Sequence, residues 1–114
     1  MKPNINFHGV CHDPEVENYI LRRCAFAFSR MQHAIERTSV TMTDVNGPKG
    51  GIDKQCRIVI KPEAMSPIVV SEQQSTLKLA VDRAIARASR SLARQLKRRQ
   101  TKLRFDPERR KLWN

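Results

Sequence analysis

Five arginines, Arg83, Arg87, Arg90, Arg94 and Arg98, recur at intervals of three and four residues. That repeat places side chains on one stripe of an α-helix, here within an arc of roughly 80°. The chemistry open to such a stripe is the grip of a polyanion. A guanidinium is permanently charged, and its planar fork of N–H donors matches phosphate oxygens two at a time. At about 1.5 Å of rise per residue the row runs roughly 22 Å, the reach of several successive phosphates on a nucleic-acid strand. From Leu77 to Arg104 there are ten basic residues and one acid, Asp82. A solvated helix face ordinarily mixes both signs, so self-repulsion on this scale points to a polyanionic partner.

Other constellations carry less chemistry. His8, Cys11 and His12 lie close together, with Cys24 and His33 elsewhere. A closed zinc site needs four ligands, and no second paired spacing supplies them. No metal or other cofactor is expected. The three cysteines are an odd number and read as reduced thiols, Cys24 and Cys56 on apolar faces as small core residues. Gly47 to Gly51 lacks the Gly-Lys-Ser/Thr ending of a phosphate-binding loop and leads into no helix. No serine, histidine and carboxylate grouping marks a nucleophilic centre, so the chain reads as non-enzymatic, with no small-molecule substrate. The 114 residues suit one domain with a modest core. The net charge of +11 is concentrated in the last predicted helix. Nothing near Met1 resembles a signal peptide, and no apolar run approaches the roughly 18 residues of a membrane span. The expected location is the cytoplasm.

The elements that must hold the arginines follow from periodicity. Ile5 and Phe7 alternate with Asn4, Asn6 and His8, a half-buried first strand. Asp13 caps a helix with Pro14 in its first turn and Glu15 and Glu17 near the positive end of its dipole. Val16, Ile20, Cys24, Ala27, Phe28, Met31 and Ile35 give that helix an apolar face to about Glu36. The period then drops to two, with Val40 and Met42 inward and Ser39, Thr41 and Thr43 outward. Turn formers fill Asp44 to Asp53. A third strand has Cys56, Ile58 and Ile60 inward, and Ile68 to Ser71 is a short fourth. Ser75 is placed to cap the arginine helix, whose Leu77, Val81, Ala84, Ile85, Ala88, Leu92 and Leu96 cluster opposite the arginines. Each strand has one apolar face, so both helices cover the same side of a four-stranded mixed sheet. His8, Thr41, Thr43, Arg57 and Lys61 are left on the wet side. The fold class is α+β, a two-layer sandwich in β-α-β-β-β-α order, resembling a double-stranded RNA-binding core. Residues 1–104 form the single domain, and residues 105–114 a basic tail opened by the helix breaker Asp106-Pro107 and expected to be mobile in isolation.

These residues resemble a known family, the ribosome hibernation promoting factors, also called ribosome-associated inhibitors or sigma-54 modulation proteins, in their short form. The resemblance rests on the element order and on the segment Asp44 to Cys56. It rests also on Ala80-Val81-Asp82 followed by Arg87 and Arg90, and on a first helix that opens with Asp13-Pro14 and reaches Arg22-Arg23 before Cys24. It covers roughly residues 4 to 103. Ala88 and Ser91 depart from the Leu and Gln usual in the family. Longer members add a C-terminal domain that pairs ribosomes, for which 114 residues leave no room.

The resemblance implies binding to the small ribosomal subunit and its rRNA, in the channel used by messenger and transfer RNA. It implies ribosomes idled under stress or in stationary phase, and nothing in the sequence demands more than a monomer for the free protein. The RNA-binding candidates are Arg83, Arg87, Arg90, Arg94 and Arg98 as the main row. Arg22, Arg23, Lys49, Lys54 and Arg57 are candidates for extending the footprint. Arg109, Arg110, Lys111 and Trp113 of the tail are the residues that could fold along RNA, the indole on a base. Two other classes fit a basic amphipathic helix. A general RNA-binding module of the double-stranded type would hold duplex RNA without assembled ribosomes. A membrane-surface ligand would need bulky apolar residues opposite the arginines, where the sheet already covers Val81, Ile85 and Leu92.

Overall fold

The computed structural model describes residues 3–9, 12–44 and 54–104, with side chains through residue 99 of the last helix. The elements are β1 (Asn4–His8), α1 (Pro14–Ala27), β2 (Ile35–Asp44), β3 (Lys54–Pro62), β4 (Ile68–Gln74) and α2 (Leu77–Arg104). Their spatial order in one sheet is β1-β2-β3-β4. β1 runs parallel to β2, with Ile5 beside Val40 and Phe7 beside Met42, so α1 is the crossover that parallel pairing requires. β2 and β3 are antiparallel with Val40 opposite Ile58, and β3 and β4 are antiparallel with Ile58 opposite Val70. This is the mixed α+β sheet that the alternating apolar residues predict.

Three boundaries differ from the periodic reading. α1 ends at Ala27, nine residues before Glu36: Phe28 leaves helical geometry, and its N–H closes on the Cys24 carbonyl at 3.0 Å. Phe28, Met31 and Ile35 keep helix-like spacing, yet a turn and a short 3-10 segment, Gln32–Ala34, carry them instead. Ile35 pairs with Pro62, so sheet hydrogen bonding across a β-rich segment overrides the local period. β4 continues past Ser71 to Gln74, because Gln73 and Gln74 find partners in Gln55 and Lys54. Thr76, and not Ser75, caps α2: its Oγ1 accepts the Leu79 N–H at 3.2 Å.

The core lies between the sheet and both helices. Val16, Ile20, Cys24 and Phe28 from α1 and its end meet Val40, Met42, Cys56, Ile58, Ile60, Ile68 and Val70 from the strands. From α2 come Ala80, Val81, Ala84, Ile85, Ala88 and Leu92. Ala80, Ala84 and Ala88 are four residues apart and fully buried, so the helix backbone can approach the sheet closely. Leu92 is the last fully buried residue of α2 among those with described side chains, and Leu96 is half-buried.

Polar contacts set α1 against α2. Tyr19 donates its hydroxyl to Asp82, and Arg23 Nε lies 3.2 Å from the same carboxylate. The Asp82 hydrogen bond, then burial, raise the Tyr19 pKa above its ordinary value and keep the phenol protonated. Lys78 places its ammonium 5.6 Å from the Tyr19 ring centroid, a cation–π contact.

Burial dominates the two core thiols. Desolvation pushes Cys24 up to about 11 and Cys56 to about 12, the latter further opposed by charge on Cys24. Both folded values exceed the ordinary 9.0, so the unfolded chain releases these protons first. The stability they confer is complete below pH 9 and is lost as pH climbs toward 12. Replacing both cysteines with Ala is expected to shrink the alkaline loss of stability in urea titrations. A drop of unchanged size would assign it to other groups. Leu92→Ala is expected to cost about 2–5 kcal/mol in urea unfolding with an unchanged slope, as a truncation inside a packed core does.

Candidate nucleic-acid interface

The alanine-lined seam of α2 determines where its arginines point. With Ala84, Ala88 and Leu92 buried, Arg83, Arg87, Arg90, Arg94 and Arg98 all emerge exposed. Arg83, Arg90, Arg94 and Arg98 have no ion-pair partner among the described residues, so their forks stay free for an external anion. Arg87 differs. Its Nη1 lies 2.8 Å from Glu72 Oε1 and donates to the Ser71 carbonyl at 3.2 Å, tying α2 to β4. Its guanidinium stays half in solvent, so the tether uses part of the fork and leaves other donors outward.

The outlying candidates separate by location. Arg22 is exposed on α1. Arg23 is half-buried against Asp82 and contributes more to the α1–α2 contact than to free positive charge. Lys54, at the start of β3, pairs with Asp44 at 2.7 Å, and both side chains are largely covered. Arg57 is exposed on the sheet face turned away from the helices, beside Asn6, His8, Thr41 and Thr43. The structure therefore does not bring Arg57 to the α2 row. Lys49 and the tail residues Arg109, Arg110, Lys111 and Trp113 lie outside the described residues. So does Cys11, and among the described residues no three His, Cys, Asp or Glu side chains converge on a common point.

Residues passed over by the spacing argument also belong here. Arg30, just beyond α1, is exposed and faces Arg90 across a groove between the first helix and α2. Phe26 stands on the rim of the same groove. A signal for it was present in the sequence: at about 200° from Cys24 around α1 it falls off the apolar stripe. Arg99 donates from Nη1 to the Glu63 carbonyl at 3.2 Å, fastening the later turns of α2 to the turn between β3 and β4.

The resulting surface has one chemical character. A helix with four arginines unpaired among the described residues lies beside a second helix carrying Arg22, and Arg30 follows that helix's end. Asp82 is consumed by Tyr19 and Arg23. The arrangement presents positive charge at fixed spacing on a rigid helix. No helix of the described residues is long and apolar enough to cross a membrane.

Comparison with known proteins agrees with this architecture. The chain is similar to the N-terminal domain of Protein Y from Thermus thermophilus, with a TM-score of 0.67 at 17% identity, over 82% of this chain and 98% of that one. It is also similar to a ribosomal subunit interface protein from Coxiella burnetii, with a TM-score of 0.64 at 14% identity, over 85% and 99% of the two chains. At such identities the likeness concerns the fold. No curated protein sequence is a significant match. The family model described as sigma 54 modulation protein / S30EA ribosomal protein matches residues 4–104, from the first residue of β1 to the last of α2. A match across every element of the fold places this chain in the sigma 54 modulation protein / S30EA ribosomal protein family.

Proposed function

We propose that this chain is a non-catalytic regulator of translation that binds the small ribosomal subunit in its decoding channel and idles ribosomes under stress or in stationary phase. The observation that carries the reading is the row of exposed arginines on α2, four of them without a carboxylate partner among the described residues. Membership of a ribosomal-protein family supports it, as does the likeness to a ribosomal subunit interface protein.

The mechanism is occupation. Ribosomal RNA offers a dense, folded array of phosphates, and arginine forks bind them while releasing condensed counterions. Arg83, Arg90, Arg94 and Arg98 supply the main contacts, with Arg22 extending them across α1. Arg87 contributes donors left over from Glu72 and Ser71. A domain seated this way excludes messenger and transfer RNA by volume, and no covalent step is needed. The protein acts as a monomer in the cytoplasm, with rRNA as its partner and neither cofactor nor small-molecule substrate.

Co-sedimentation with ribosomes at several salt concentrations tests this reading. The parent is expected to stay near-stoichiometric on the small subunit at moderate salt and to be displaced by initiator transfer RNA. The triple variant Arg83→Glu, Arg90→Glu, Arg94→Glu is expected to lose ribosome binding while keeping its circular dichroism melting profile. Each single Arg→Ala change at these positions is expected to reduce the salt slope of binding by about one unit. Equal binding of the triple variant would remove α2 as the contact surface. Tight binding to free duplex RNA, indifferent to transfer RNA, would favour a general double-stranded RNA module.

A further inference from the structure

Phe26 is 79% exposed. Of the other described aromatic residues, Phe7 and Tyr19 are half-buried and Phe28 is buried, so this ring alone is left in water. An exposed ring forgoes the burial that holds its neighbours, so its surroundings indicate what else could cover it. It borders an open groove of about 800 Å³ between the end of the first helix and α2. Arg30 stands on one side and Arg90 on the other, and no Asp or Glu lines the space. On the α2 wall the residues beside Arg90 are Ala86, Ser89, Ala93 and the buried Ile85, so no other long side chain of that helix competes for the open space beside the ring. The carbonyls at the end of α1 would repel an anion, yet two of them are already occupied by hydroxyls. Ser29 Oγ donates to the Phe26 carbonyl at 3.1 Å, and Ser89 Oγ to the Ala27 carbonyl at 3.4 Å.

We propose that this groove receives one unpaired RNA base, stacked on Phe26, while Arg30 and Arg90 hold the phosphates on either side of it. The inference rests on the RNA-binding reading above and adds to it a contact that recognises a base and not only charge. A ring with cations on both sides matches a nucleotide, which joins a flat apolar base to an anionic backbone. A lipid surface would call for several bulky apolar residues exposed together, and of the residues lining this groove Phe26 is the one large hydrophobe that is exposed, Ile85 being buried and Met31 half-buried. Arg90 then belongs to both the phosphate row and the base site.

The test compares a short oligouridylate with an abasic strand of the same phosphate count, by fluorescence anisotropy at two salt concentrations. Phe26→Ala is expected to weaken oligouridylate binding about five-fold or more at each salt, since one stacked base contributes on that scale. Its salt slope should match the parent's, because no phosphate contact is lost. Binding of the abasic strand should be unaffected, and Phe26→Tyr should bind as the parent does. Arg90→Ala, by contrast, should weaken both strands and lower the slope. Unchanged oligouridylate binding by Phe26→Ala, or an equal loss on both strands, overturns the stacking site. If Phe26→Ala affects neither strand yet weakens ribosome co-sedimentation, the ring meets a protein and the proposal also fails. Should the triple arginine variant bind both strands like the parent, the RNA reading itself fails. If that variant loses binding while Phe26→Ala does not, only the base contact is lost.

Discussion

The interaction on which the rest of this molecule depends is the close contact of α2 with the sheet. Ala80, Ala84 and Ala88 give that helix a smooth buried edge, and Val81, Ile85 and Leu92 fill the space beside it. Apolar burial of this kind supplies the main driving force for folding and fixes the rotation of the helix about its own axis. Once the rotation is fixed, the side chains on the far side have no choice of direction. The arginine row is thus a consequence of core packing. It costs the domain repulsion among like charges, which the buried seam must outweigh.

Electrostatic tethers refine what packing establishes. Asp82, the one acid of α2, is committed to the first helix through Tyr19 and Arg23. Arg87 and Arg99 reach backbone carbonyls at Ser71 and Glu63 and so hold α2 to β4 and to the turn before it. These two arginines therefore do structural work, and among the described residues Arg83, Arg90, Arg94 and Arg98 of the row are left without an ion-pair partner. Exposed pairs of this type contribute little to stability singly. Their effect is on geometry.

Much of this was legible in the residues before any coordinates. The alternation of Val40 and Met42, and of Cys56, Ile58 and Ile60, defines the sheet's buried face. The three- and four-residue spacing of the arginines defines their stripe. What failed to show has a physical reason in each case. Phe28, Met31 and Ile35 keep a helical period, but Ile35 is claimed by a strand partner, Pro62, that lies far along the chain, and Phe28 and Met31 fall in the turn that leads to it. The division of labour within the arginine row depends on Glu72 and Ser71, fifteen and more residues away in sequence, and no periodicity encodes that pairing. Arg57, by contrast, was legible: the alternation that turns Cys56 and Ile58 inward puts it on the face of the sheet away from the row.

The bond from Arg87 to the Ser71 carbonyl has an effect on a property separate from binding. β4 forms one border of the sheet, and a border strand offers unpaired carbonyls and amides to which the strand of another molecule can add. A bulky, charged side chain laid across that border occupies one of these acceptors and places positive charge where a second copy of the same basic protein would have to dock. Positive charge laid there disfavours the addition of a second copy along this margin.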